Sequence, residues 1–546
     1  MNKINFNIAY KHLLVITSII VLAVIITSIF PIFFRTDDVT PLYWCAHHSF
    51  KDIFNVQLLS LWGFYRPVGL LFFIINYKLF GLNPIGYQFA CTSIFFIDLY
   101  LMYIVSKVYF NKKSAITTLI VYIALFYNHF QMIFWFSDIV FIMHMMFTLL
   151  AILFYIKSKA NIYFIIGSFL FALLGTFTKE PSIVIVIAFV IGDYLSDLTR
   201  KDYLKKAWIL TTFIGIFIFL LLTSPVIGTR FNNSPDHAIF LSNLDYRYRY
   251  YFDCLLSGTK LIIPLVLSLT LAVSIKKSWY LKLLVLTLCI PCYYYPYYYL
   301  FLLFGITGYF TNQYKKLLPL FFWMLGTSLT LPFMEFITPS YLFEFSFGFS
   351  LFIGYVINSQ LIEKFFIHFR INHNKLFKIS LIGITVISAP IASKLIISQI
   401  NALNLVVETR KNFSKGIDYI HNNKNNLDYI VIPDQEKSQS YEEKSKIAIR
   451  SNEDKAKFLK TMNAYELKTY LTLINCGDLN IIPYTEYIKS PIYNHSVILL
   501  LQNDTDIKFA TENNLKGESL FEYSYSGKNR INIISIQTNN KVHTTI

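Results

Sequence analysis

The sequence predicts a polytopic α-helical membrane protein of about thirteen transmembrane helices followed by a small soluble α/β domain. Three observations carry this. The 546-residue chain is 55% hydrophobic, 18% aromatic and only 15% charged, with mean hydropathy +0.49; an average soluble domain is about 45–50% apolar and about 25% charged. The apolar residues come in runs, such as Leu13 to Phe34, Ala207 to Gly228 and Ile379 to Ser393, and about 20 such residues match the thickness of a bilayer core. After Ser398 the composition shifts to Asn, Lys, Asp and Glu.

The first run is too long for the apolar region of a signal peptide and has no obvious small-residue cleavage site, so it reads as an uncleaved first span. Excess Lys and Arg set topology in a membrane protein, so the formal net charge of +16 does not call for nucleic acid. With Lys3 and Lys11 in the cytoplasm, span one exits near Phe34. The next basic cluster, Lys107, Lys112 and Lys113, is again inside if Arg35 to Gly86 forms an outer loop and span two runs from about Tyr87 to Ser106. The apolar stretch Val68 to Phe80 is then a helix lying at the membrane surface, short for a span and flanked by Arg66 and Lys78. Strict alternation places Lys157/Lys159, Arg200/Lys201/Lys205/Lys206, Lys276/Lys277/Lys282, Lys315/Lys316 and Lys364/Arg370/Lys375/Lys378 inside. That gives twenty basic residues inside and nine outside before residue 390. Making Val68 to Phe80 a true span would put several Lys clusters outside.

Residues 1–398 thus form the membrane domain, including the outer loop 35–86, and residues 399–546 an extracytoplasmic α/β domain. In the latter, Tyr429 to Pro433 and Val497 to Leu501 read as buried strands and Asp454 to Leu473 as a helix. Cys289-x-x-Cys292 lies in an apolar segment with no second pair, which favours membrane packing over zinc or redox chemistry.

Several polar groups stand out against this apolar background. Arg35-Thr36-Asp37-Asp38 follows span one, where two adjacent carboxylates could serve acid–base or metal chemistry, or simply cap the next helix. Tyr65-Arg66-Pro67 precedes the interfacial helix, and its Arg could equally anchor lipid headgroups. Trp135-Phe136-Ser137-Asp138 forms a short outer turn. In Thr178-Lys179-Glu180-Pro181 a Lys breaks the charge bias of the outer face and calls for a negative partner, with Glu180 the local choice. Asp98 is an intramembrane acid, functional by default unless a neighbouring Tyr satisfies it. His129 and His144 read as core histidines, and His47-His48 is a weak metal hint.

The order of these motifs, with Leu79-Phe80-Gly81-Leu82-Asn83-Pro84 after the interfacial helix, resembles the GT-C superfamily of multi-span glycosyltransferases, which includes the protein O-mannosyltransferases and the aminoarabinose transferases. The resemblance spans residues 1–360. It departs from the family at Ser340-Tyr341-Leu342-Phe343, where relatives often carry an Arg-Tyr pair. It implies a polyprenyl-phosphate-linked sugar as donor, a glycan, lipid or protein as acceptor, and inversion at the anomeric carbon. Phosphate is already a good leaving group, so one carboxylate suffices to take the acceptor proton. Asp37 is the first choice and Asp38 the second. Arg66 and Lys179 would stabilise the departing phosphate, while Asp138 and Glu180 would position acceptor or metal. A divalent cation is left open by the family. The competing readings are a lipid-linked saccharide flippase or transporter, an O-antigen-type polymerase, and a non-enzymatic sensor or scaffold. A flippase would line a path through the spans with charge, whereas here charge clusters at one boundary. A polymerase would lack the early Asp pair, and a sensor would not explain Lys179 or Arg66.

Overall fold

The computed structural model describes residues 6–29, 33–34, 36–55, 66–125, 132, 135–158, 161, 163–179, 181–196, 314–330, 342–358, 417–422, 424–427, 429–432, 464–483, 496–500, 518–525 and 528–537, with the side chains of 6–16, 36, 37 and the later strands left aside. Its amino-terminal part is helical. Helix α1 spans Phe6–Ile29, α2 Thr36–His47, α3 Pro67–Phe80, α4 Pro84–Tyr109, α5 Lys112–Ala124, α6 Ile139–Ser158, α7 Phe164–Thr178 and α8 Pro181–Ser196; later come α9, Tyr314–Thr330, and α10, Phe343–Ile357.

Local chemistry sets these ends. Pro84 opens α4 behind Asn83, whose side chain accepts the Ile85 N–H, and Asn111 caps α5 by accepting the Ser114 N–H. Both caps satisfy amides that have no partner within the helix. Pro67 starts α3 directly after Arg66, where its missing N–H costs nothing. Among the described residues, two helices are long and apolar enough to cross a membrane, Pro84–Tyr109 and Phe136–Ser158. Helix α3 has 14 residues and rises about 21 Å, short of a hydrocarbon core of about 30 Å.

The exposed faces are themselves apolar. Ile20, Val21, Val24 and Ile25 are exposed on α1, and Ile166, Leu170 and Leu174 on α7. A soluble protein rarely presents such contiguous patches, and lipid is the solvent that suits them. Polar groups turn inward, with Gln88, Thr92, Asp98 and Ser106 all buried on α4. Among the described residues, this apolar exterior and polar interior suit a helical bundle set in lipid.

Between α2 and α3, residues Phe50–Phe54 form a 3₁₀ turn. Asp52 Oδ2 accepts both the Ser49 N–H, at 2.7 Å, and the Ser49 hydroxyl, at 2.9 Å. These bonds hold its carboxyl below the usual range, the backbone bond first.

The carboxyl-terminal part contains a five-stranded sheet of order β2-β1-β3-β5-β4, with β1 Tyr429–Ile432, β2 Asn480–Pro483, β3 Ser496–Leu500, β4 Glu518–Tyr525 and β5 Lys528–Gln537. The strands expected at 429–433 and 497–501 stand as β1 and β3, while β2, β4 and β5 were not anticipated. Strand β1 runs parallel to both neighbours, and the β3–β5 and β4–β5 pairs are antiparallel. The register pairs Tyr525 with Lys528. Helix α11, Ala464–Leu473, lies between β1 and β2 in sequence, as parallel pairing requires a crossover. It realises the end of the expected 454–473 helix; residues 454–463 lie outside the described set.

Candidate active site

Four of the sequence motifs, distant along the chain, approach one another in the fold. Asp37 and Asp38 fall in the first turn of α2, where carboxylates suit the positive end of the helix dipole. Asp38 is fully buried. Its Oδ1 accepts the Ser137 N–H at 2.7 Å and the Ser137 hydroxyl at 2.8 Å, across 99 residues of sequence. Bonds to an ionised acceptor are short and about twice as strong as neutral ones. The Asp38 carboxylate thereby pins the Phe136–Asp138 3₁₀ turn to the start of α2. The turn also closes on itself, the Asp138 N–H donating to the Trp135 carbonyl at 3.0 Å.

The second meeting point is Gly69, three residues into α3. A Cβ there would lie 2.8 Å from Val140 Cγ1, 3.7 Å from the Thr178 carbonyl and 3.8 Å from Arg66 Cβ. Val140 follows Asp138 by two residues, and Thr178 precedes Lys179. Glycine is what allows the Arg66 end of α3 to reach both motifs.

Lys179 is buried, with 3% of its surface exposed. Its N–H caps α7 on the Gly175 carbonyl at 2.8 Å. Its Nζ sits over the Phe141 ring, 2.7 Å from the centroid, a cation–π contact. A Cβ at Gly175 would run into Ser182 Oγ, and that hydroxyl is 2.6 Å from the Thr148 hydroxyl. These contacts draw α6, α7 and α8 together beneath Lys179. The side chain of Asp37, and Glu180 with its expected pairing to Lys179, lie outside the described residues, as do Arg35, Tyr65 and His129.

Other expectations are corrected. Asp98 is fully buried, yet neither carboxyl oxygen has a hydrogen-bond partner among the described residues; the bond to a neighbouring Tyr is absent. His144 is buried as a core histidine should be, but its Nε2 lies 2.6 Å from Glu344 Oε1 on α10, 200 residues away. Glu344 was missed; an acid inside an apolar run is the signal that could have found it. The His47 Nδ1 bonds the Tyr43 carbonyl at 2.8 Å, and His48 stacks on Trp44 with centroids 4.8 Å apart. Both rings are thus engaged in packing within α2. Burial pushes the Cys45 thiol up to about 12, which keeps it a neutral packing group. Among the described residues no group of three His, Cys, Asp or Glu could hold a metal ion.

A family model described as dolichyl-phosphate-mannose-protein mannosyltransferase matches residues 66–228. The crystal structure of ArnT from Cupriavidus metallidurans in the apo state is similar over 96% of this chain and 98% of that one, at 9% identity and a TM-score of 0.43. The same protein bound to undecaprenyl phosphate is similar over the same shares, at 9% identity and a TM-score of 0.39. No curated protein matches the chain. The matched segment contains Arg66, Asp138, Lys179 and Glu180 and stops short of the Asp37–Asp38 pair that the fold bonds to it. Over residues 66–228 the chain is similar to that mannosyltransferase family.

Proposed function

We propose that the protein moves a sugar from a polyprenyl-phosphate carrier to an acceptor hydroxyl at the outer face of the bacterial cytoplasmic membrane, with inversion, in modification of a cell-envelope glycan. The observation that carries this is the Asp38–Ser137 bond. It joins the early acid pair to the segment holding Asp138, while Gly69 brings Arg66 and Lys179 alongside.

The chemistry needs few groups. Asp37 takes the acceptor proton as the hydroxyl attacks the anomeric carbon, a step to which a positioned base contributes about 10²–10⁴-fold. Asp38, committed to two donors from Ser137, holds the turn that presents Asp138 to the acceptor. Lys179 and Arg66 meet the phosphate as the glycosidic bond breaks and negative charge collects on it. Residues 1–398 form the membrane domain, and 399–546 an extracytoplasmic domain over it. The 20-to-9 bias of basic residues supports this orientation.

Mass spectrometry of envelope glycans from a deletion strain, complemented with wild-type or Asp37→Asn protein, tests the reading. A glycan component should vanish on deletion, return with wild type and stay absent with the variant. An unchanged glycan profile in the deletion strain would refute it.

A further inference from the structure

Helix α11 belongs to the carboxyl-terminal part, yet it packs against α2. Its apolar positions fall at Leu467, Tyr470 and Leu471, the spacing of one helix face, and all three are buried. Leu467 and Leu471, with Ile417, Ile420 and Ile430, belong to the same continuous buried core as the residues around α2. Tyr470 reaches the residues just before α2. Its ring lies 5.6 Å from Phe33, edge-on at 69°, and 6.4 Å from Phe34.

The contacts continue into the site. Phe34 is edge-on to Tyr87 at 5.2 Å and to Phe136 at 5.4 Å, and Tyr87 meets Phe136 at 5.8 Å. Tyr87 is itself fixed, its hydroxyl donating to the Gly81 carbonyl at 2.9 Å. Phe136 immediately precedes Ser137, the donor to Asp38, and Phe34 stands four residues before Asp38. Both strands of chain that meet in the Asp38–Ser137 bond are therefore anchored by one aromatic stack, and Tyr470 closes that stack from the carboxyl-terminal side. Edge-on pairs hold ring position as well as burying area.

We propose that Tyr470 is a positioning residue for the active site, setting the Asp38–Ser137 clamp through Phe33 and Phe34, so that the carboxyl-terminal region takes part in catalysis without supplying a reacting group. This rests on the reading of Asp37 and Asp38 given above. Removing the ring uncovers Phe33 and Phe34 and loosens α2 relative to the Phe136–Asp138 turn. The helices behind the stack keep their own contacts.

The test is hydrogen–deuterium exchange on the purified full-length protein, with envelope-glycan recovery in the deletion strain as a second readout. Tyr470→Ala should raise exchange about tenfold over 36–47 and 135–139, the scale of one lost aromatic pair. Exchange over 97–109 and 142–155 should stay at wild-type values, and glycan recovery should fall about tenfold. Tyr470→Phe keeps the ring and should behave as wild type in both. Tyr470→Leu keeps apolar volume without the edge, is the milder probe if the Ala variant does not fold, and should loosen the same two segments. Wild-type exchange over 36–47 and 135–139 in the Ala and Leu variants overturns the inference. So does loss of protection spread equally over all four segments, and so does a Phe variant as impaired as Ala. Exchange does not depend on transfer, so an unchanged glycan profile in the deletion strain would sink the functional reading and leave this result standing.

Discussion

Asn substitution at the two adjacent acids separates a base from a clamp. Asp38 Oδ1 holds two Ser137 donors at 2.7 and 2.8 Å. In Asp38→Asn the amide oxygen can still accept both, so geometry survives and each bond loses its charge assistance, about half its strength. With about 1.5–3 kcal/mol for a bond to a charged group, the loss is about 1.5–3 kcal/mol of local stability for the pair. Transfer should then fall less than about tenfold. Asp38→Ala leaves the Ser137 N–H and hydroxyl without this acceptor in a buried site, each costing about 1–3 kcal/mol; transfer should collapse and protein yield fall with it. Asp37→Asn keeps shape and removes the proton acceptor, so transfer should drop a hundredfold or more, within the range of about 10²–10⁴ for general bases, with normal membrane insertion. The assay is glycan recovery in the complemented deletion strain, normalised to membrane-inserted protein. Equal and severe losses in Asp37→Asn and Asp38→Asn, with normal insertion of both, would refute the division of labour. Full activity in Asp37→Asn with loss in Asp38→Asn would reverse it.

Lys179→Met keeps an apolar stem on the Phe141 ring and removes the charge; transfer should fall about a hundredfold, the scale of one lost charge-stabilising group. Full rescue by adding Glu180→Gln would show that Lys179 serves only to neutralise its neighbour. Gly69→Ala places a Cβ 2.8 Å from Val140 Cγ1, an overpacking cost of about 1–3 kcal/mol that outweighs the gain of about 1 kcal/mol in helix propensity. Transfer and thermal stability should drop together, and Val140→Ala added to it should restore both; no rescue would mean that α3 does not close on α6 at that point. A reporter fused after Asn401 should lie outside the cytoplasm and one after Lys113 inside, and a cytoplasmic Asn401 fusion would show a miscounted span.

The parts of this protein that are legible in sequence are those written locally. Hydropathy and charge bias reveal helices because a span must satisfy its backbone within itself. Asn83-Pro84 and Asn111 mark helix starts by short-range capping. The acid pair and Lys179 stand out because charge is rare in this chain, and rarity needs no tertiary information. What they touch does. The Asp38–Ser137 bond spans 99 residues and turns a second acid from a spare base into a clamp. His47-His48 gave only a weak metal hint in sequence, and the fold packs the two rings on Tyr43 and Trp44, one helical turn back.

The buried charges follow the same logic one step further. In an apolar medium a lone acid is costly, so the reading given to Asp98 applies equally to Glu344, which was missed from sequence. The fold treats them differently. Glu344 meets His144 at 2.6 Å, and the Trp323 N–H donates to its carbonyl at 3.2 Å, so α6, α9 and α10 converge on one pair. Removing either partner leaves a buried polar group without this hydrogen bond, a cost of about 1–3 kcal/mol. The pair therefore fixes where α10 sits against α6, the helix that begins directly after Asp138 and carries Phe141 beneath Lys179. Periodicity could never have supplied that constraint, since it lies between two residues 200 apart, each of which alone reads as an anomaly.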